Sequence, residues 1–381
     1  MASVKKRGNS YSITVSCGYN IHGKQIRQYK TWCPPQGMTE RQIKRELLAK
    51  TAEFEQQCHL GVCGGDIKFE AFAEKWFVEY AAPNLKIRTI SRYRQMTERV
   101  YRSIGHLKMQ SITPRVISRF VLDLGRSGEN KRSGKALSPK TIKNYLSFVS
   151  GIFSYAAAQG IVLDNPCRYV KAPPQIRPEQ PCYTKEEAQT FLNELAFEPL
   201  CWQVYFNLAI FGGFRRGEIM GLEWGDIDFE NNIITINRTS LYTSELGVFT
   251  DTPKTKSSRR SLKLPYAVIE LIKRYKAQRP ESVLSERLFI AKNGEPMNPT
   301  CVENWLERFL KRKGLRRVNT HSFRHLNATL LINSGADIKT VSAALGHSQI
   351  STTLNIYAHT IAQSQAKAAD AIAEMMGISC K

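Results

Sequence analysis

Apolar or β-branched residues alternate with polar ones in YSITVSCGY (11–19) and KQIRQYKTW (24–32). NIHG (20–23) between them carries turn chemistry, so the chain is expected to open on a β-hairpin. The period then changes. In residues 39–61, Ile43, Leu47, Leu48 and Phe54 line roughly one helical face, Thr39 can cap the start, and Gly61, Gly64 and Gly65 close the segment. Residues 68–160 read as helices throughout. The aromatics of FEAFAEKWFVEYA (69–81) fall at helical spacing and are expected in a core rather than on a stacking platform. A helix is expected over 84–105. Thr113 and Ser138, each followed by a proline at the first helical position, open helices over 113–125 and 138–160. Ile142, Leu146, Val149 and Phe153 form the buried stripe of the last of these. Residues 165–181 hold five prolines, which argues against any regular element and for an interdomain linker.

A chain of 381 residues, 42% hydrophobic and 23% charged, has room for two to three domains and is not disordered wholesale. The divisions expected are residues 1–65, a helical domain at 66–165, a linker at 166–181 and a last domain at 182–381. No run of 18 apolar residues occurs, and the basic N-terminus MASVKKRGNSYS lacks an apolar core, so neither a membrane span nor secretion is expected. Nine scattered cysteines without a paired framework fit the reduced thiols of a cytosol. Cys58, His59 and Cys63 lack the second ligand pair of a structural zinc site.

Charge changes the picture most. Fifty-five Lys and Arg against 33 Asp and Glu leave +22, which calls for a polyanionic partner: nucleic acid first, an acidic membrane surface second. Half of that excess lies in residues 66–175, where 19 basic residues face 8 acidic ones, as a DNA-gripping module requires. Arg27, Tyr29, Lys30 and Trp32 lie along one expected strand, and a small sheet backed by one helix can read a groove with its open face. The alternative is an accessory domain with solvated charges. Lys86, Arg88, Arg92 and Arg94 begin one helix. Lys140, Lys143 and Asn144 begin another, where backbone amides also favour phosphate.

The chemistry is expected in the last 206 residues. Arg215 and Arg216 sit at a turn between two apolar helical runs, and residues 250–265 read as a strand pair dense in Lys and Arg. His321 and Arg324, three apart, share one face of a helix start, and His347 precedes Tyr357 by ten residues. Each feature alone is weak. The ordered set G-x-R-x-G-E (213–218), PKT (253–255), H-x-x-R (321–324), LGH (345–347) and TT-x-x-x-Y (352–357) resembles the tyrosine recombinases, the integrases of phages and conjugative transposons. The likeness covers the whole C-terminal segment. Residues 138–166 look like that family's core-binding domain, and the N-terminal hairpin and helix look like its arm-type DNA-binding domain.

The resemblance implies a multidomain, mainly α protein with small β elements: a three-stranded sheet plus helix, a helical core-binding domain, and a mixed α+β catalytic domain with a C-terminal tail helix. It implies Arg215, Lys254, His321, Arg324, His347 and Tyr357 as catalytic residues, with Glu218 as the acidic residue behind the first arginine. Lys256 is the alternative to Lys254, and Arg216 is not implicated. It also implies a homotetramer on double-stranded DNA at specific core and arm sites, strand exchange through a Holliday junction, a place in the cytosol of a bacterial host, and excisionase or DNA-bending proteins as accessory partners. Elementary chemistry agrees. Two planar arginines can hold the charge that builds on a phosphate under attack. A phenol with a pKa near 10 needs a base, for which His321 is suited. Lys254 can protonate the departing 5′ oxygen, and His347 can donate to a phosphate oxygen. No carboxylate cluster suggests a magnesium site, and a covalent 3′-phosphotyrosine conserves the bond energy, so neither metal nor ATP is expected. Two rivals share part of this reading: a relaxing type IB topoisomerase, and a non-catalytic DNA-binding regulator. Ile361, Ala368, Ala369, Ile372 and Met376 give the tail an apolar face, which either packs on its own domain or docks on a neighbouring protomer.

Overall fold

The alternation at the N-terminus produces strands β2 (Ser10–Tyr19) and β3 (Gln25–Trp32), paired antiparallel with Ile13 opposite Lys30 and Thr14 opposite Tyr29. The computed structural model describes residues 2–19, 25–59, 67–126, 130, 133–175, 182–252, 259–279, 285–346, 349–351 and 353–354. The chain divides into two compact units, Met1–Arg177 and Pro178–Lys381.

In the first unit, β1 (Ala2–Arg7) pairs with the other edge of β2 and completes the three-stranded sheet. Its sequence, rich in Lys and Arg, gives no alternation of apolar residues by which to find it. Helix α1 (Glu40–His59) starts where Thr39 and Gln42 exchange hydrogen bonds, the Thr39 hydroxyl accepting from the Gln42 amide and the Gln42 side chain from the Thr39 amide. It covers one face of the sheet with Phe54 and Cys58, which pack on Ile13 and Val15.

The helical part runs α2 (Phe69–Trp76), one wider π turn (Phe77–Ala81), α3 (Ala82–Asn84), α4 (Ile87–Val100), a second π turn (Tyr101–Gly105), α5 (Pro114–Leu124) and α6 (Pro139–Ala158). Its core is aromatic, as the spacing predicts. Phe69, Phe72, Trp76 and Phe77 are all buried: Phe69 meets Phe153 of α6, Trp76 and Phe77 meet Phe148, and Phe72 meets Tyr155. Ser138 caps α6 by accepting from the Thr141 amide, whereas Thr113 has the extended backbone of a cap but makes no side-chain bond to the helix start. The proline-rich segment departs from expectation at its start. Pro166–Tyr169 is a 3₁₀ turn, with Pro166 and Cys167 buried. Asn165 holds it there: its amide donates to the Ser150 carbonyl at 2.9 Å, and its side-chain oxygen accepts from the Cys167 amide at 3.0 Å. Proline at the first position of a turn costs no hydrogen bond, so a proline count alone does not exclude one.

The second unit is built on α7 (Lys185–Leu195), α8 (Leu200–Phe211), α9 (Arg216–Met220), α10 (Tyr266–Ala277), α11 (Cys301–Arg312), α12 (Thr320–Asn333) and α13 (Ile338–Leu345). Phe191, Phe206, Phe309 and Phe323 interlock at its centre, and Trp202 stacks on Trp305 at 4.7 Å. β4 (Ile227–Asp228), β5 (Ile233–Ile236) and β8 (Arg260–Lys263) form one antiparallel sheet, and β6 (Thr239–Thr243) with β7 (Gly247–Asp251) forms another. The strand pair expected over 250–265 is therefore corrected. Its first strand pairs backward with β6, and its second pairs with β5. Adjacent strand-like runs need not pair when each has a better partner elsewhere. Among the described residues no helix is long and apolar enough to cross a membrane.

Candidate active site

Helix α13 ends at Gly346, whose left-handed backbone (φ +63°) closes the helix. The last carbonyls of any helix lack partners inside it and carry the negative end of its dipole. Here three successive carbonyls are taken by three arginines from three different elements. Ala344 O accepts from Arg260 Nε at 2.7 Å, Leu345 O from Arg324 Nη2 at 2.5 Å, and Gly346 O from Arg215 Nη2 at 3.0 Å. Arg215 and Arg324, far apart in sequence, are thus brought to one turn. The next residue in the chain is His347.

Each part of the G-x-R-x-G-E motif has a local reason. Gly213 lies at φ +58°, and a Cβ there would sit 2.5 Å from Asn327 Oδ1. Asn327 fixes the turn by donating to the carbonyls of Ile210 and Phe211 at 2.8 and 3.1 Å. Arg324 Nη1 adds a bond to Gly213 O at 2.8 Å. At Gly217 a Cβ would meet the Ser240 carbonyl at 2.9 Å, so glycine lets α9 press against β6. Glu218, with a side chain 3% exposed, accepts from the Arg215 backbone amide at 3.0 Å, Arg215 Nη1 at 2.6 Å and Arg260 Nη2 at 2.9 Å. Burial alone pushes its carboxyl up, but Arg260 and Arg215 together hold it below the usual carboxylate range.

His321 is exposed on the first turn of α12, which Asn319 caps by accepting from the His321 and Ser322 amides. One turn on, His325 is buried, its ring 4.7 Å from that of His321. Burial first, and the Arg324 charge second, push its imidazole below the ordinary value. Arg216 turns to Glu303 at 3.4 Å, and Thr320 also donates to that carboxylate. Lys254, its alternative Lys256, His347, Tyr357 and the tail residues from 361 lie outside the described residues. The strand leading toward Lys254 is held at Thr250 by Arg287, whose Nη1 also donates to Gly221 O at 2.7 Å.

Sequence reasoning missed Arg260, His325 and Asn327. Arg260 reads as half of a surface pair with Arg259, and only the latter is exposed. Position i+3 from Arg324 placed Asn327 on the same helix face, a signal available from spacing alone.

Of the residues expected on DNA, Arg88, Arg92, Lys140 and Lys143 are exposed, and Asn144 is half-buried. Arg94, at the same helix start, is instead bound to Glu74 at 2.5 Å and lies 3.7 Å over the Phe77 ring. On the N-terminal sheet, Arg27 and Tyr29 face away from α1, opposite Ser16 and Thr14. Lys30 and Trp32 do not share that open face. Lys30 pairs with buried Ile13, and its Nζ lies 5.5 Å from the Phe54 ring under α1. Side chains alternate along a strand, so neighbours cannot all line one face. Cys58, considered with His59 and Cys63, packs in the apolar core between sheet and helix; the other two side chains lie outside the described residues.

The titration of His325 and Glu218 sets an expected pH dependence. A histidine with a lowered folded pKa takes up a proton more readily when unfolded, so stability falls as pH drops below about 6.5. Glu218, also lowered, contributes stability above about 4.5 that is lost as pH falls through its folded value. The melting temperature of the full chain should decline in two stages on acidification. His325→Asn should remove the upper stage and leave the lower. Equal slopes for both proteins between pH 7 and 5.5 would refute the assignment.

The sequence matches the phage integrase family over residues 182–364 and the phage integrase N-terminal SAM-like domain over residues 68–124. It is 28% identical to a XerC-like tyrosine recombinase of Caldanaerobacter subterraneus subsp. tengcongensis, over 98% of both chains. It is also 28% identical to the ICEBs1 integrase of Bacillus subtilis, over 70% of this chain and 72% of that one. Among solved structures, the Tn1549 transposon integrase in complex with a circular intermediate DNA superposes with a TM-score of 0.67 at 22% identity, covering 79% of this chain and 99% of the other. A lambda integrase tetramer bound to a Holliday junction gives 0.56 at 17% identity, over 91% and 95%. By these matches, to both its helical segment and the unit that carries the three arginines, the chain belongs to the phage integrase family of tyrosine recombinases.

Proposed function

We propose that this protein is a site-specific DNA recombinase, an integrase that cuts and rejoins duplex DNA to insert and remove a mobile element. The observation that carries the reading is the gathering of Arg215 and Arg324 at the turn that leads into His347. Relatives support the biological role, among them the ICEBs1 integrase of Bacillus subtilis and a transposase from transposon Tn916 of Enterococcus faecalis.

In the proposed reaction the Tyr357 oxygen forms a bond to the scissile phosphorus while the bond to the 5′ oxygen breaks. The phenolic proton passes to His321, and Lys254 gives a proton to the departing 5′ oxygen, which leaves as a hydroxyl. Arg215 and Arg324 hold the charge on the nonbridging oxygens, and His347 donates to one of them. Attack by a 5′ hydroxyl of the partner duplex reverses each transfer. Residues 1–65 would hold the arm sites, with Arg27 and Tyr29 on the open sheet face. Residues 66–165 would hold the core site through Arg88, Arg92, Lys140, Lys143 and Asn144. Four protomers would act together, as in the lambda integrase tetramer on a Holliday junction, with excisionase or bending proteins setting direction.

The test is recombination between two labelled duplexes carrying the sequences that flank the element in integrated and circular form. Strand exchange with a junction intermediate is expected. Relaxation of any supercoiled plasmid without paired sites would make it a topoisomerase instead. Binding without cleavage would make it a regulator.

A further inference from the structure

We propose that Arg260 is a positioning residue that keeps Arg215 available to the scissile phosphate by occupying one oxygen of Glu218. The inference rests on the reading of Arg215 as a phosphate-holding residue.

Glu218 is a buried carboxylate shared by two guanidiniums, Oε1 with Arg215 at 2.6 Å and Oε2 with Arg260 at 2.9 Å. One negative charge between two positive ones leaves the cluster a net positive charge. Without Arg260, Glu218 would be opposed by Arg215 alone, and the pair would present no net charge to an anion. Arg260 itself faces inward. Its side chain is 7% exposed, its Nε donates to Ala344 O at 2.7 Å, and its guanidinium carbon lies 5.4 Å from the Phe214 ring centre. It therefore acts through its neighbours. Arg215, with a side chain 37% exposed, is the member of the trio that can reach a ligand. Arg260 also starts β8, on the C-terminal side of the segment that holds Lys254. Its two bonds tie that strand to α9 and to the end of α13. The fork geometry of arginine makes both bonds from one planar group, which a lysine ammonium cannot reproduce.

The experiment measures single-turnover cleavage of a nicked duplex with either an ordinary phosphodiester or a methylphosphonate at the scissile position. The methylphosphonate lacks one charged oxygen and so needs less cationic help. Arg260→Gln should slow cleavage of the phosphodiester about 10- to 100-fold, the effect of losing one charge-assisted contact. The loss should shrink to within about threefold on the methylphosphonate. Glu218→Gln placed in the same chain should recover much of the phosphodiester rate, because the neutral amide no longer offsets Arg215. That double variant leaves no unpaired buried carboxylate, so it keeps the test sound where Arg260→Gln alone folds poorly. Arg215→Ala run beside them separates the two readings. If Arg215→Ala is rescued by the methylphosphonate and the Arg260 variants are not, the positioning role is wrong and Arg260 only supports the fold. If Arg215→Ala itself is not rescued, the phosphate-holding role of Arg215 fails first.

Discussion

Tyr357→Phe protein is expected to bind its core site with an affinity within about threefold of the parent and to form no covalent complex with DNA. The substitution deletes one oxygen. Affinity for DNA comes mostly from many phosphate contacts spread over the basic surface, and these are untouched. In the proposed reaction cleavage requires that oxygen for the bond to phosphorus, so the loss is expected to be complete rather than partial. A nicked suicide duplex makes the difference visible. The short strand beyond the nick diffuses away after cleavage, and the parent protein accumulates as a protein–DNA adduct of higher mass. Adduct from the Phe variant would place the nucleophile elsewhere. Tyr242 on β6, 41% exposed, is the first residue to examine in that case.

The helices were legible because their signals are local. Ser138 and Thr39 each precede a turn whose amides they satisfy, and the aromatic spacing of residues 69–81 admits only one buried face. The two candidate arginines were legible from motif order, which reflects chemistry rather than propensity. What escaped was set by distant partners. Arg259 and Arg260 are indistinguishable in composition, yet only the second meets Glu218 and Ala344, 42 and 84 residues away. The pairing of β8 with β5 rather than β7 escaped for the same reason, since strand choice is settled by packing across the unit. Lys30 was different. Its parity with Trp32, and against Tyr29, was already in the sequence and placed it under the helix. A basic residue on a strand is easily taken for a ligand contact when the alternation is not applied.

Arg324 combines a catalytic prospect with a structural one, and the two can be separated. The residue is 2% exposed, and its guanidinium spans two backbone carbonyls, Gly213 O at 2.8 Å and Leu345 O at 2.5 Å. One residue therefore ties the turn before Arg215 to the end of α13, just ahead of His347. Arg324→Ala leaves both carbonyls without that donor, each costing about 1–3 kcal/mol. In the proposed reaction it would also remove a charge that stabilises the phosphate under attack, for which losses of about 10²–10³ in rate are typical. Arg324→Lys keeps the charge but offers a compact ammonium in place of a fork, so it can satisfy one carbonyl and not both. The lysine variant should recover part of the melting temperature, while its single-turnover cleavage stays within about tenfold of the alanine variant's. DNA binding should change little in either, because the residue is buried. Cleavage by Arg324→Lys close to the parent's rate would show that charge alone suffices there and that bridging the two carbonyls contributes nothing to the reaction.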